Sequence, residues 1–182
     1  MNILDAIQTR ASVGIHGSEV PTRAQIERII AAAQWAPNHR LTEPWRFTVF
    51  TGDERKALGD AQASASGLDD PVKIERQAAK PLRAPVVIVV HSVPGRDDEE
   101  TKENRYAVAA AVQNLLLAAH AEGLGAIWRT GSAIYSDEVA RLVGAESGDD
   151  IIAAVYVGYA TGPEKKRTRR PVDEITNWRE SV

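Results

Sequence analysis

Apolar positions recur along this chain at two periods, one of helices and one of strands. Ile3, Leu4 and Ile7 sit at helical spacing and predict a short first helix that ends before Ser12-Val13-Gly14. Thr22 with Gln25 makes a capping-box pattern, and Ile26, Ile29, Ile30 and Ala33 then mark one face of a second helix that Pro37 stops. Trp45, Phe47 and Val49 alternate with Arg46 and Thr48, the period of a strand with one buried face, closed by Gly52-Asp53. Residues 53–80 are polar and alanine-rich, broken by Gly67 and Pro71, and predict two modest helices. Val86-Val87-Ile88-Val89-Val90 is an unbroken β-branched run, which predicts a central strand covered on both sides. Pro94 to Glu100 is expected to be a solvated loop. From Arg105 to Ala121 the chain is apolar nearly all round, as in a buried helix, and long enough for a dimer core. Ala126-Ile127-Trp128 starts a strand, Ser136 caps a helix that stops near Gly144, and Ile151 to Gly158 is the last strand. Helices and strands mix without a clean βαβ alternation, so the expected class is α+β.

Composition narrows the function. A chain of 182 residues that is 43% hydrophobic suits a single domain over 1–182, with 163–182 as a basic C-terminal tail ending near Trp178 as one aromatic anchor. A formal charge of −3 argues against nucleic acid or an acidic membrane surface as partner. With no cysteine, disulfides, thiolate zinc sites and thiol nucleophiles are excluded. Asp5 interrupts the N-terminal pattern, which lacks the basic start and apolar run of a signal peptide, and no segment has the ~20 apolar residues of a membrane helix. A cytoplasmic location is the expectation. His16, His91 and His120 show no ligand spacing with His39, so no metal is expected.

Several motifs carry chemistry. Arg10 and Ser12 supply anion donors at a helix end, and Arg167 and Arg169, two apart in an extended tail, would point to one side. The other reading of that pair is a solvated charged tail. Ala36 to Phe47 is a loop shaped by Pro37 and Pro44 that offers Asn38 and His39 beside aromatics, with Trp35 either a site residue or ordinary core. Gly123-Leu124-Gly125 precedes Trp128-Arg129-Thr130-Gly131, which sets a large ring, a fixed cation and a hydroxyl at a strand end.

Taken together, Thr9-Arg10-Ala11-Ser12, Trp35-Ala36-Pro37-Asn38-His39, Trp128-Arg129-Thr130-Gly131 and Arg167-Thr168-Arg169-Arg170 resemble the nitroreductase family over nearly the whole chain, closest to its small minimal branch. The resemblance implies a nitroreductase-like fold with a central mixed β-sheet flanked by helices, in an intertwined homodimer that binds FMN between its subunits. It implies that Arg10, Ser12, Arg167 and Arg169 hold the FMN phosphate, with Ala11 in place of a second arginine and left with a backbone contact or none. It also implies that Trp35 and His39 touch the flavin bound mainly to the other subunit. Many relatives carry a basic residue where this chain has Gly14, so the usual partner of the flavin N1/O2 edge is missing. Arg129 is the candidate replacement, since a cation there favours the charge that reduced flavin gains; the alternative is a surface or interface arginine. Trp128 and Thr130 are expected beside it. Hydride transfer needs stacking and orientation rather than an acid or base, so no catalytic side chain is assigned. The expected activity is NAD(P)H-dependent, FMN-mediated reduction of a nitroaromatic, quinone or related small acceptor. The alternatives are a reduced-flavin enzyme, such as a flavin destructase or a dehalogenase-like reductase, and a non-catalytic flavin-binding redox module.

Overall fold

The computed structural model describes residues 1–162 and 167–180, so that part of the basic tail, 163–166 and 181–182, lies outside the described residues. Its α-helices are α1 (Ile3–Thr9), α2 (Arg23–Ala33), α3 (Glu54–Ser64), α4 (Pro71–Ala78), α5 (Asp98–Ala121) and α6 (Asp137–Leu142). Its strands are β1 (Trp45–Thr51), β2 (Val86–Ser92), β3 (Gly125–Arg129) and β4 (Asp150–Gly158). They form one sheet in the order β1-β2-β4-β3 with antiparallel neighbours throughout. Among the described residues, the parallel component of the expected mixed sheet is one isolated bridge between Ser12 and Ala126.

Alternation along β2 builds two cores. Val86, Ile88 and Val90 face α2 and α5, packing with Ile29, Val108, Val112, Leu115 and Val155, while Val87 and Val89 face α3 and α6 with Phe50, Leu58, Val139 and Tyr156. Every residue of β2 is buried, as its β-branched run requires. The β1 strand is less simple than its alternation suggests. Trp45 and Phe47 reach the first core, but Val49 is exposed and Phe50 fills the second core from the opposite side. An edge strand has room for that, because its outer end has fewer neighbours to satisfy.

The α2 capping box forms with both of its hydrogen bonds. Residues 97–100, expected to be solvated loop, instead start α5: the Asp97 carboxylate accepts the Glu100 N–H at 2.8 Å, and three acids occupy the first turn. Negative charge at a helix N-terminus favours this early start. Glu100 is buried there under Arg96 at 2.7 Å and Arg40 at 3.2 Å. One face of α5 packs on the sheet, while Tyr106 and Gln113 on another remain exposed. Trp178 is 73% exposed among the described residues, so its ring is not buried in this chain's core. Among the described residues no helix is long and apolar enough to cross a membrane.

Candidate functional site

After α1 the chain leaves helical conformation at Arg10 and runs beside β3, with Val13 N–H donating to the Ala126 carbonyl at 3.0 Å. Each glycine of Gly123-Leu124-Gly125 has its own task here. Gly123, at φ +76°, ends α5 in the left-handed region that other residues rarely adopt. A Cβ on Gly125 would lie 2.8 Å from Val13 Cγ1, so only glycine lets residues 12–14 lie against the strand.

This close approach forms one wall of a cleft of about 580 Å³ lined by Thr9, Arg10, Ala11, Ser12, His120 and Arg167, among others. The tail returns to α1, where the Arg167 guanidinium donates to the Thr9 carbonyl oxygen. Arg10 is held below the ordinary arginine range, first by burial and then by the positive charges of Arg167 and Arg169. Two guanidinium groups, of Arg10 and Arg167, thus line the cleft and a third, of Arg169, is near enough to act on Arg10, and among the described residues none of them forms an ion pair with a carboxylate. Like charges gathered without a counter-charge favour an anion between them, and guanidinium forks with the Ser12 hydroxyl match the several acceptor oxygens of a phosphomonoester.

Arg129 sits on the neighbouring side of the 12–14 segment. Its guanidinium carbon lies 6.0 Å from the Tyr156 ring centroid, and a Cβ built on Gly14 would come within 3.4 Å of Arg129 Nη2. The arginine thus fills the space next to the position where Gly14 lacks a side chain. Burial pushes the Tyr156 hydroxyl up, opposed by Arg129, Gln62 and Arg83. Arg129 and Thr130 line a second cleft of about 450 Å³. Trp128 lines neither cleft: its indole donates to the Ile152 carbonyl at 3.3 Å and packs on the first core.

Trp35 and His39 are elsewhere. Trp35 closes the end of α2 and is 87% exposed, which removes the core reading of its ring. His39 Nδ1 lies 3.9 Å from Glu103, Thr42 donates to Asn104 at 2.8 Å, and Asn38 Oδ1 accepts the Glu43 N–H at 3.0 Å. Arg40, Leu41 and Glu43 all have positive φ, so backbone strain is stored in this loop. It is pinned to the N-terminal part of α5, whereas the Arg10 cleft touches Leu116 and His120 near the other end. At about 1.5 Å per residue, Glu103 and His120 are separated by about 25 Å along the helix. One chain does not bring Trp35 and His39 to the Arg10 cleft.

The nitroreductase family matches residues 7–159. The chain belongs to the nitroreductase family. Among its relatives, YdjA of Escherichia coli (strain K12), provisionally named an NAD(P)H nitroreductase, is 32% identical over 168 residues, covering 87% of this chain and 88% of that protein. YfhC of Bacillus subtilis (strain 168), provisionally named the same way, is 28% identical over 92% of this chain and 89% of its own length. A nitroreductase-like protein of Bacillus cereus superposes with a TM-score of 0.91 at 26% identity, covering 100% of this chain and 97% of that one. A provisionally named nitroreductase of Desulfovibrio desulfuricans, solved in complex with FMN, gives 0.75 at 28% identity over 100% and 99% of the two chains.

The nitroreductase match ends before Arg167 and Arg169, so the tail's share of the cationic cluster rests on the geometry around Arg10 alone. Sequence reasoning passed over Gln62, Lys80 and Arg83, which join Arg129 and Thr130 in the second cleft. The available signal was two basic residues set among prolines in Lys80-Pro81-Leu82-Arg83-Ala84-Pro85, just ahead of the central strand.

Proposed function

We propose that this nitroreductase-family chain is an FMN-dependent oxidoreductase that uses NAD(P)H to reduce a small acceptor such as a nitroaromatic or quinone. Arg10, Arg167 and Ser12 lining one cleft that holds no carboxylate, with Arg169 near enough to act on the charge of Arg10, carry the proposal. This cleft fits the phosphate of FMN, the ligand of the Desulfovibrio desulfuricans relative, and the names of the Escherichia coli and Bacillus subtilis relatives supply the nicotinamide donor. When bound, FMN would supply the hydride chemistry between the nicotinamide and the acceptor.

The protein's part is to bind and orient. Arg10, Arg167, Arg169 and Ser12 hold the phosphate end, and Ala11 leaves a backbone N–H to it. Arg129, wedged beside Gly14, puts a fixed positive charge at the flavin's electron-accepting edge, with Thr130 on the same loop. Trp128 supports that loop from the core side. Exposed Trp35 and His39, at the far end of α5, complete the site of a second subunit in a homodimer. No acid or base is required of a side chain.

The purified protein should carry flavin absorbance and oxidise NAD(P)H when a quinone or nitroaromatic is added. Arg10→Ala and Arg169→Ala should each weaken FMN by about 1.5–3 kcal/mol, the range of a charge-assisted hydrogen bond, or roughly ten- to a hundredfold in dissociation constant. Unchanged FMN affinity in both variants would remove the phosphate assignment.

A further inference from the structure

A third cleft, of about 450 Å³, shares no lining residue with the two described above and lies between the start of β1, the end of β2 and the loop 143–149 that joins α6 to β4. Its ionisable lining residues are Arg46, His91, Glu146 and Asp149. A bulge between Val90 and His91 shifts the register of β2 against β4, and such a bulge re-aims the side chain that follows it. His91 Nε2 lies 3.3 Å from Asp149 Oδ2, with both side chains no more than 6% exposed. The same carboxylate oxygen accepts the Glu146 N–H at 3.0 Å, and the Asp149 N–H donates to the Glu146 carbonyl at 3.1 Å. This closes a turn through Gly148, at φ +95°, beside Pro94. One carboxylate thus holds both the histidine and the loop.

The closed arrangement suits a neutral imidazole. With one ring nitrogen facing the carboxylate, a second proton would sit on Nδ1, which is buried and has no hydrogen-bond partner among the described residues. A buried donor without an acceptor is costly. Burial and the charge of Arg46, which stands opposite His91 across the β1–β2 ladder, also disfavour the cation, and Asp149 opposes them. Glu146 is exposed at the rim, and Asp150, next to Asp149, is taken up by Arg105 at 2.7 Å. A loop that swings away lets water reach Nδ1 and returns the imidazole to its ordinary behaviour, so the open form binds a proton more readily than the closed one. We propose that His91 and Asp149 form an acid-released latch, which keeps the 143–149 loop closed at neutral pH and frees it when His91 takes up a proton. Its release extends to α6, because Val139 of that helix and Val143 of the loop pack in the second core with Tyr156. The latch is independent of the oxidoreductase reading.

Hydrogen exchange of residues 143–149, read by mass spectrometry and corrected for the intrinsic pH dependence of amide exchange, measures the opening. In the parent the opening constant should rise between pH 7 and pH 5 by up to about tenfold per pH unit, the limit for one proton, while the amides of β2 and of the middle of α5 keep their protection. His91→Gln removes the titrating group and should flatten the rise. Arg46 is exposed, so Arg46→Gln spares the core; it removes the repelling charge and should move the rise to higher pH. Loosening shared equally by the whole chain would be global unfolding and would overturn the latch, as would a rise that persists in His91→Gln. Should His91→Gln fail to fold, Arg46→Gln and His16→Gln decide, since His16 is the other histidine whose pKa burial lowers. A rise moved by Arg46→Gln and untouched by His16→Gln supports the latch, and any other outcome overturns it.

Discussion

A guanidinium held over the Tyr156 ring and against the backbone of Gly14 is a preorganised charge, and such a charge loses little on reorganisation when electrons arrive beside it. Arg129→Ala should therefore lower the reduction potential of bound FMN and slow its reduction by NAD(P)H, while affinity at the phosphate end changes less. The same geometry supplies a control. Gly14 has no positive φ and its missing Cβ would meet only Arg129 and Ile127, so a lysine fits there once the arginine is gone. Gly14→Lys in the Arg129→Ala background should recover part of the potential, and potentiometry that finds the potential unmoved by either change would leave Arg129 with a packing role only. A second residue-scale effect concerns acid. His91 is buried against Asp149, with Nε2 3.3 Å from Oδ2, and its pKa is lowered by burial and by Arg46, with Asp149 opposing. His16 is lowered as well, mainly by burial. Both then bind protons more readily unfolded than folded, so the stability they contribute is whole above the ordinary value of 6.5 and is lost as pH falls below it. The melting temperature should decline from pH 7 towards pH 5, and less steeply in His91→Gln. An identical slope in that variant would assign the loss to other groups.

Elements were legible where a local cause fixes them. The Thr22–Gln25 box, the β-branched run of β2 and the glycines after α5 and α6 each act within a few residues, and each forms as its pattern predicts. Because both capping bonds are present, Thr22→Ala should cost about 1 kcal/mol and lower the melting temperature by roughly 2–4 °C. A shift within error would mean that packing of Ile26 and Ile29 alone holds the start of α2. Legibility fails where the cause lies far along the chain. Glu100 is buried behind the Asp97 cap partly under Arg40, which comes from a loop 60 residues away. Phe50 is buried because α3 and α6 roof the second core, which the alternation of β1 does not announce. The candidate site divides in the same way. Arg10, Ser12 and Arg129 were visible through motif, whereas Gln62, Lys80 and Arg83 reach Arg129 only through the packing of α3 and the turn before β2.

At the scale of the molecule, the exposed apolar residues ask for a partner. Ile3, Leu4 and Ile7 are each more than half exposed on one face of α1, beside the Arg10 cleft, and Trp35, Leu41 and Tyr106 are exposed around the α2–β1 loop and α5. Scattered single residues would need no explanation, but two groups of large side chains flanking the two separated halves of one proposed site do. The proposed twofold dimer would answer both, since it would cover the same surface on each subunit and bring the Trp35–His39 loop of one chain to the Arg10 and Arg129 region of the other. Each flavin would then be held by two chains, and its binding and dimerisation become one equilibrium. Dilution should release FMN over the same concentration range in which sedimentation shows dimers giving way to monomers, and added FMN should shift that range downward. Ile7→Asp should move it upward, because a charge on the α1 face is penalised only when that face is covered. A monomer that keeps its full complement of FMN would break the link, and would require the whole flavin site to lie within one chain, against the roughly 25 Å that separates its two halves along α5.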